Sequence, residues 1–205
     1  MSAVLPPQSP TATESKKIHA GPLDWRQLVE WLSVDGVISS AEARRTIARC
    51  SQVQSAQHPL IRLASVSMTR LADGKPLDIE TIAEWLAGRA GLDYLRIDPL
   101  KVDVGKVADT MSAVYAERHK VLPLQVTPHE VVIATSEPFV TDWVSEVERQ
   151  SKRSVRLVVA NPLDIAKFTV EFFALAKSVK AALKAGGGSG SASFEQLVEL
   201  NRSNR

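Results

Sequence analysis

Cysteine is almost missing from this chain. Cys50 is the only one in 205 residues, so no intramolecular disulfide can form, and the thiol usage fits a reducing compartment. Charge of one sign is missing too: 25 Lys and Arg against 23 Asp and Glu leave a net +2, far from the basicity of a dedicated nucleic-acid binder, and no nucleic-acid partner is expected. No apolar run reaches the roughly 20 residues that cross a bilayer. The opening residues also lack the basic-then-apolar layout of a signal peptide, so a cytoplasmic protein with no direct membrane insertion is expected. Signs of chemistry are equally scarce. Gly186-Gly187-Gly188-Ser189-Gly190-Ser191 is followed by no lysine in phosphate-loop order. His19, His58, His119 and His129 lie on separate segments without Cys or carboxylate partners at ligand spacing, so no metal site is expected. No Ser, Cys or Thr stands in a nucleophile elbow. No catalytic residue is therefore nominated, no cofactor is expected within this chain, and it is not expected to be an enzyme.

What the chain does have is alternation of short β-branched runs with segments of helical period, concentrated between Gly91 and Glu171. Tyr94–Ile97, Val121–Val126, Val131–Ala134 and Val155–Val159 read as strands, the middle two forming a hairpin across Thr127–Glu130. Val104, Val107, Met111, Val114, Tyr115 and Arg118 fall on one side of a single helix, whose first five would bury. Ser136-Glu137-Pro138 opens a second helix with Phe139, Val140, Trp143, Val144 and Val147 inward. Asn161-Pro162-Leu163-Asp164 opens a third, with Asn as cap, Pro at the first position and a carboxylate near the positive end of the dipole. The order β-α-β-β-α-β-α is close to a split βαβ unit.

The residues before this unit read as helical. Trp25, Leu28, Val29 and Leu32 share a face that Asp35-Gly36 closes. Ser39 or Ser40 caps a second helix lined by Ala43, Ile47 and Cys50, and Leu60, Leu63, Val66, Met68 and Leu71 form a helix or buried irregular segment. Asp78 caps a helix containing Ile79, Ile82, Trp85 and Leu86. The expected fold class is α+β, an N-terminal helical subdomain followed by the β-α-β-β-α-β-α unit with a small three- or four-stranded mixed sheet. By domains this gives a disordered leader over 1–21, a helical subdomain over 22–90 and an α/β domain over 91–184. A Gly/Ser linker over 185–193 and the truncated start of a following domain over 194–205 complete it. The last helix carries Ile165, Phe168, Phe172, Leu175, Val179 and Leu183 in one stripe that outruns the domain. Its far end therefore needs cover from the helix's own core, a partner or a further domain.

A family resemblance runs through the same stretch. Gly91-Leu92-x-Tyr94-x-x-Ile97-Asp98-Pro99-Leu100, Tyr115-Ala116-x-Arg118 with Val121-Leu122-Pro123-Leu124, Val131-x-Ile133-Ala134 with Glu137-Pro138, and Val159-Ala160-Asn161-Pro162-x-Asp164-Ile165 follow one another in order. This set resembles the N-terminal domain of the type II secretion and type IV pilus assembly ATPases, related to the MshE-type N-terminal domain. The resemblance implies a non-catalytic docking domain at the cytoplasmic face of the inner membrane. It would bind the cytoplasmic domain of a platform protein, contact its own C-terminal ATPase domain and position a hexameric motor. ATP and Mg would belong to that motor.

Some relatives in this family bind cyclic di-GMP through paired motifs of Arg-Leu-Gly, an apolar pair, Gly-apolar-apolar-Ser and a closing Gln. By that resemblance Leu32, Gly36 and Ser39 match the first copy, and Arg62 stands in what remains of the second. Gln27-Leu28-Val29 replaces Arg-Leu-Gly and Cys50 stands near the Gln, so the bidentate guanidinium and the close backbone approach are lost and a degenerate copy is expected. Beyond the family, Trp31, beside the main apolar face, and the arginine cluster Arg44, Arg45 and Arg49 are nominated as a partner-binding surface.

Overall fold

The structure, a computed structural model, describes residues 20–52 and 54–186. Almost all of the 1–21 leader, most of the 185–193 linker and the 194–205 segment lie outside the described residues.

Helices α1 (Trp25–Val34), α2 (Ser40–Ser51), α3 (Pro59–Ala64) and α4 (Ile79–Ala90) come first, and each begins on a side chain able to accept a free N–H. Asp24 accepts from Arg26 and Gln27, Ser39 from Glu42, His58 Nδ1 from Leu60, and Asp78 from Thr81. Gly36 (φ +71°) and Gly91 (φ +69°) turn the chain out of α1 and α4 in the left-handed region that a Cβ disfavours. Leu28, Val29, Leu32, Ile38, Leu60, Leu63, Met68, Ile82 and Leu86 bury together as one core shared by all four helices.

The second half is built on a four-stranded sheet of order β1-β4-β3-β2, with β1 (Asp93–Tyr94), β2 (Val121–Val126), β3 (Glu130–Thr135) and β4 (Ser154–Val159). β1 and β3 run parallel to β4, and β2 is antiparallel to β3. The architecture is α+β with a mixed sheet. Alternation along the strands separates two faces. Leu122, Leu124, Val132, Ala134 and Val158 meet helices α5 (Val104–Thr110) and α8 (Pro162–Gly186) through Val107, Ile165, Phe168 and Phe172. Val121, Val131 and Ile133 meet α6 (Ala113–His119) and α7 (Val144–Ser151) through Ala116, Trp143 and Val147. Because β3 is covered on both faces, its four central residues are all apolar.

Several details depart from the sequence reading. The single helix expected over 104–118 is two: Met111 is extended (φ −153°, ψ 162°), and Ser112 starts α6 by accepting from the Tyr115 N–H. The break rotates the second half of the wheel, so Val114 is 74% exposed rather than buried. Ser136-Glu137-Pro138 opens no helix, because Ser136 is buried at the strand end and the Glu137 N–H donates to Thr135 Oγ1; α7 starts only at Val144. The first strand holds only Asp93 and Tyr94, with one further ladder bond from the Leu95 N–H to the Val159 carbonyl. Ile47 and Leu71 are exposed; the inner face of α2 is Glu42, Ala43, Thr46 and Cys50. β1 and β2 lie on opposite edges and run antiparallel, so the parallel pair that encloses a helix is β3-α7-β4 rather than a split βαβ.

Thr46 is fully buried on α2, and its hydroxyl has no hydrogen-bond partner. An unmade buried hydroxyl bond costs about 1–3 kcal/mol, so Thr46→Val, which keeps the shape and removes the oxygen, is expected to stabilise the chain by about 1 kcal/mol in urea unfolding. A loss of stability would mean that the hydroxyl has a partner in solution.

Candidate functional site

The nominated nucleotide residues do not converge on an open site. Leu32 is fully buried in the helical core. Gly36 holds the turn after α1, and Ser39 Oγ accepts the Glu42 N–H at 3.1 Å as the cap of α2. Arg62 donates from Nη2 to the Cys50 carbonyl at the end of α2, and its guanidinium lies 4.6 Å from the centre of the Trp25 ring. The turn keeps its backbone form, while the side chains around it are engaged within the protein.

The nominated partner surface divides in two. Arg45 and Arg49 both reach back to Glu42, a carboxylate only 5% exposed, and Arg49 Nη1 also donates to the Val66 carbonyl at 2.8 Å. Arg49 thus ties α2 to the chain after α3, while Arg45 braces Glu42 within α2. Arg44 faces outward into a shallow groove between α1 and α2, lined also by Arg26, Glu30, Val34 and Ile47. Trp31 is half-buried: the Phe139 ring meets it edge-on at 5.8 Å, and the Arg89 guanidinium lies 4.5 Å from its centre. Arg89 in turn donates to Asp35, which also accepts from Trp85 Nε1 at 3.0 Å.

Sequence reasoning missed the seam between the helical layer and the sheet. Glu137, just past β3, accepts the Leu23 N–H at 2.8 Å and lies 3.1 Å from His58 Nε2, a close polar contact that is not aligned as a hydrogen bond. The Gly21 N–H donates to the Phe139 carbonyl beside it. Glu80 on α4 makes the second tie, accepting from Tyr94 Oη and, at 2.7 Å, from Asn161 Nδ2. Asn161 Oδ1 meanwhile accepts the Leu163 N–H and so caps α8. Between the ties, where β3 and β4 end, lies a cavity of 370 Å³ walled mainly by Ile61, Ala116, Pro162, Ile165 and Val170, with His58, Ser136 and Thr169 as its buried polar members. The nearby charges are perturbed in a way that follows from this packing. Burial first, and the Glu80 charge second, raise Asp164 above the usual carboxylate range, whereas the Thr81 N–H lowers Asp78. Among the described residues no group of three or more His, Cys, Asp or Glu could hold a metal ion.

With the geometry in place, comparison with known proteins identifies the second half. Residues 90–179 match the MshEN domain family, the span from the last residue of α4 to well along α8. This stretch resembles an MshEN domain. The chain is 33% identical over 167 residues to the type IV pilus assembly ATPase TfpB of Acinetobacter baylyi, a match that covers 80% of this chain and 28% of that protein. The chain therefore spans little more than a quarter of that relative. The solved structure of MshE with cdg (cyclic di-GMP) shares the fold at a TM-score of 0.52 and 16% identity, over 71% of this chain and 97% of that one. Because that likeness covers more than the MshEN stretch alone, the helical layer belongs to the shared architecture.

Two expected outcomes test the seam. Glu80→Ala leaves the Tyr94 hydroxyl and Asn161 amide without their acceptor and is expected to cost about 2 kcal/mol in urea unfolding; a change under about 0.5 kcal/mol would show the tie to be incidental. For Asp164 the folded-state pKa is raised, so the fold disfavours the ionised form, and the resulting cost is present at neutral pH and relieved as pH falls through that range. Asp164→Asn is therefore expected to be more stable than the parent at pH 7, with the gain shrinking on acidification. A gain that grows toward pH 4 would reverse the sign.

Proposed function

We propose that the chain is the docking and regulatory part of a type IV pilus assembly ATPase. It lies in the cytoplasm, peripheral to the inner membrane through its partner, and binds the cytoplasmic domain of a platform protein there. In this role it anchors a hexameric motor, supplied by the rest of the protein, that carries ATP and Mg. The observation that carries the docking reading is the α1–α2 groove, where Val34, 74% exposed, and Ile47 stand among charged residues of both signs, Arg26 and Arg44 with Asp24 and Glu30. The relation to TfpB supports the pilus pathway over secretion. No helix among the described residues is long and apolar enough to cross a membrane, which is compatible with attachment through a partner.

The second reading, a cyclic di-GMP sensor, is favoured by the fold shared with MshE with cdg and by the retained Gly36 turn. It ranks lower because Leu32 is enclosed and Arg62 is held over Trp25.

The two readings separate in solution. Arg44→Glu is expected to weaken capture of the platform domain by about tenfold, as loss of one well-placed interface charge does, while leaving the melting temperature unchanged. Arg49→Glu is expected to lower stability instead, since it places a second acid against the buried Glu42. Undiminished capture by the Arg44 variant would remove the docking surface. Calorimetry with cyclic di-GMP is expected to show no saturable heat at micromolar concentration, and saturable binding would promote the sensor.

A further inference from the structure

The cavity between the Glu80 and Glu137 ties takes no part in the α1–α2 groove or the Gly36 turn. At 370 Å³ it lies near the lower end of the range for small-ligand sites, with room for about a dozen water-sized groups of ~30 Å³ each. β3 and β4 run parallel and both end at it: Ser136 follows the last residue of β3, and Pro162 opens α8 just after β4. The crevice outside the carboxyl ends of parallel strands is where sheets of this kind place their ligands. Here His58 and Ile61, at the start of α3, border that crevice from the helical layer.

The lining selects the chemistry of an occupant. Ala116, Pro162 and Ile165 are buried apolar walls, while Glu117, Lys120, Ala166 and Val170 are exposed and form the mouth. Three buried polar residues interrupt the walls. Thr169 Oγ1 gives its proton to the Ile165 carbonyl at 2.6 Å, which leaves that oxygen as an acceptor. Ser136 brings a second hydroxyl, able to donate and to accept. His58 Nδ1 accepts the Leu60 N–H at 3.2 Å, so the proton of the neutral ring sits on Nε2, and that nitrogen is buried with no hydrogen-bond partner. A hydroxyl is the smallest group that offers an acceptor to His58 and a donor to Thr169 or Ser136. Charge is disfavoured. Lys120 stands one turn after Glu117, and the Glu137 carboxylate lies 3.1 Å from His58 Nε2, so an anion would meet two acids and one cation. A cation would shed its water against apolar walls.

We propose that this cavity binds a small uncharged hydroxyl compound with an apolar body, a phenol or cyclic alcohol, its ring among Ala116, Pro162 and Ile165 and its hydroxyl toward Ser136, Thr169 and His58. The bound molecule touches α3 of the helical layer together with α6 and α8 of the sheet half, and so braces the seam between them. It needs no platform protein, and it is far smaller than a cyclic dinucleotide and carries no phosphate.

The test titrates p-cresol into the full 205-residue chain and follows the backbone amide shifts by NMR. Saturable shifts are expected at residues 58–63, 116–120, 136 and 165–170, with a dissociation constant of order 0.1 mM, as suits a ligand of about eight non-hydrogen atoms. p-Xylene, in which a methyl group replaces the hydroxyl, is expected to bind at least about fivefold more weakly, and 4-methylbenzoate not at all. Ala166→Trp, at an exposed position, is expected to plug the mouth, weakening p-cresol by about tenfold or more while the melting temperature stays unchanged. Thr169→Val keeps the shape and removes the acceptor, and is expected to weaken p-cresol severalfold and leave p-xylene unaffected. Shifts that do not saturate, or undiminished binding by Ala166→Trp, would show that the cavity is not the site. p-Xylene bound as tightly as p-cresol, or Thr169→Val without effect on p-cresol, would reduce it to an apolar void with no polar selection, and tighter binding of 4-methylbenzoate would show that it takes anions. Any of these results overturns the proposal.

Discussion

Glu80 and Glu137 fix the helical layer on the end of the sheet, and the rest of the arrangement depends on that attachment. Each carboxylate is half-buried and each joins segments far apart in sequence. Glu137 takes the Leu23 N–H that leads into α1 and faces His58 at the start of α3. Glu80 takes Tyr94 from the first strand and Asn161 from the head of α8. A hydrogen bond to an ionised acceptor is among the stronger single contacts a fold has, and removing the acceptor leaves two donors unpaired rather than one. Three apolar clusters lie about the seam: one fills the four helices and takes in Tyr94 and Phe139 from the sheet half, and two more lie on the opposite faces of the sheet. Polar ties between well-packed bodies set orientation more than they add stability, which suits a module whose proposed task is to hold one machine against another.

The attachment also decides which surfaces stay available. Trp31 is engaged by Phe139 and Arg89, Arg62 by Trp25, and Arg45 and Arg49 by Glu42, so each of these long side chains already has a contact within the module. Val34, Arg44 and Ile47 on the helical layer remain exposed, and they form the proposed contact with a platform. An event there would be felt in the sheet through the seam. The cavity beside His58 sits on that route.

Much of the fold was legible because single residues carry unambiguous chemistry. Asp78 and Asn161 each announced a helix start by a side chain that can take a free N–H, the pair Ser39 and Ser40 announced another, and Gly36 announced an end. The strands were readable from the β-branched runs, and the buried pair of β2 and β3 from the turn between them. Failures came where local chemistry gave way to packing. Ser136-Glu137-Pro138 has the residues of a helix start, but Glu137 is needed at the seam and Phe139 against Trp31, so the chain runs on in a loop to Val144. The break at Met111 was hidden because apolar spacing persists across it, and only Ser112, acting as a cap, betrays it. The candidate site was legible in kind more than in detail: the arginines of α2 were visible, but the burial of Glu42, which removes two of them, depends on a core that no local pattern reports.

The central claim is that the helical layer, held rigidly on the MshEN-like domain, offers the α1–α2 strip to a platform partner. The most direct measurement is a hydrogen-exchange footprint of the full chain with and without the cytoplasmic domain of a pilus platform protein. The account predicts new protection in residues 26–47 and unchanged exchange in the strands of the sheet. Protection confined to the sheet or to α8, with residues 26–47 unaffected, would contradict it.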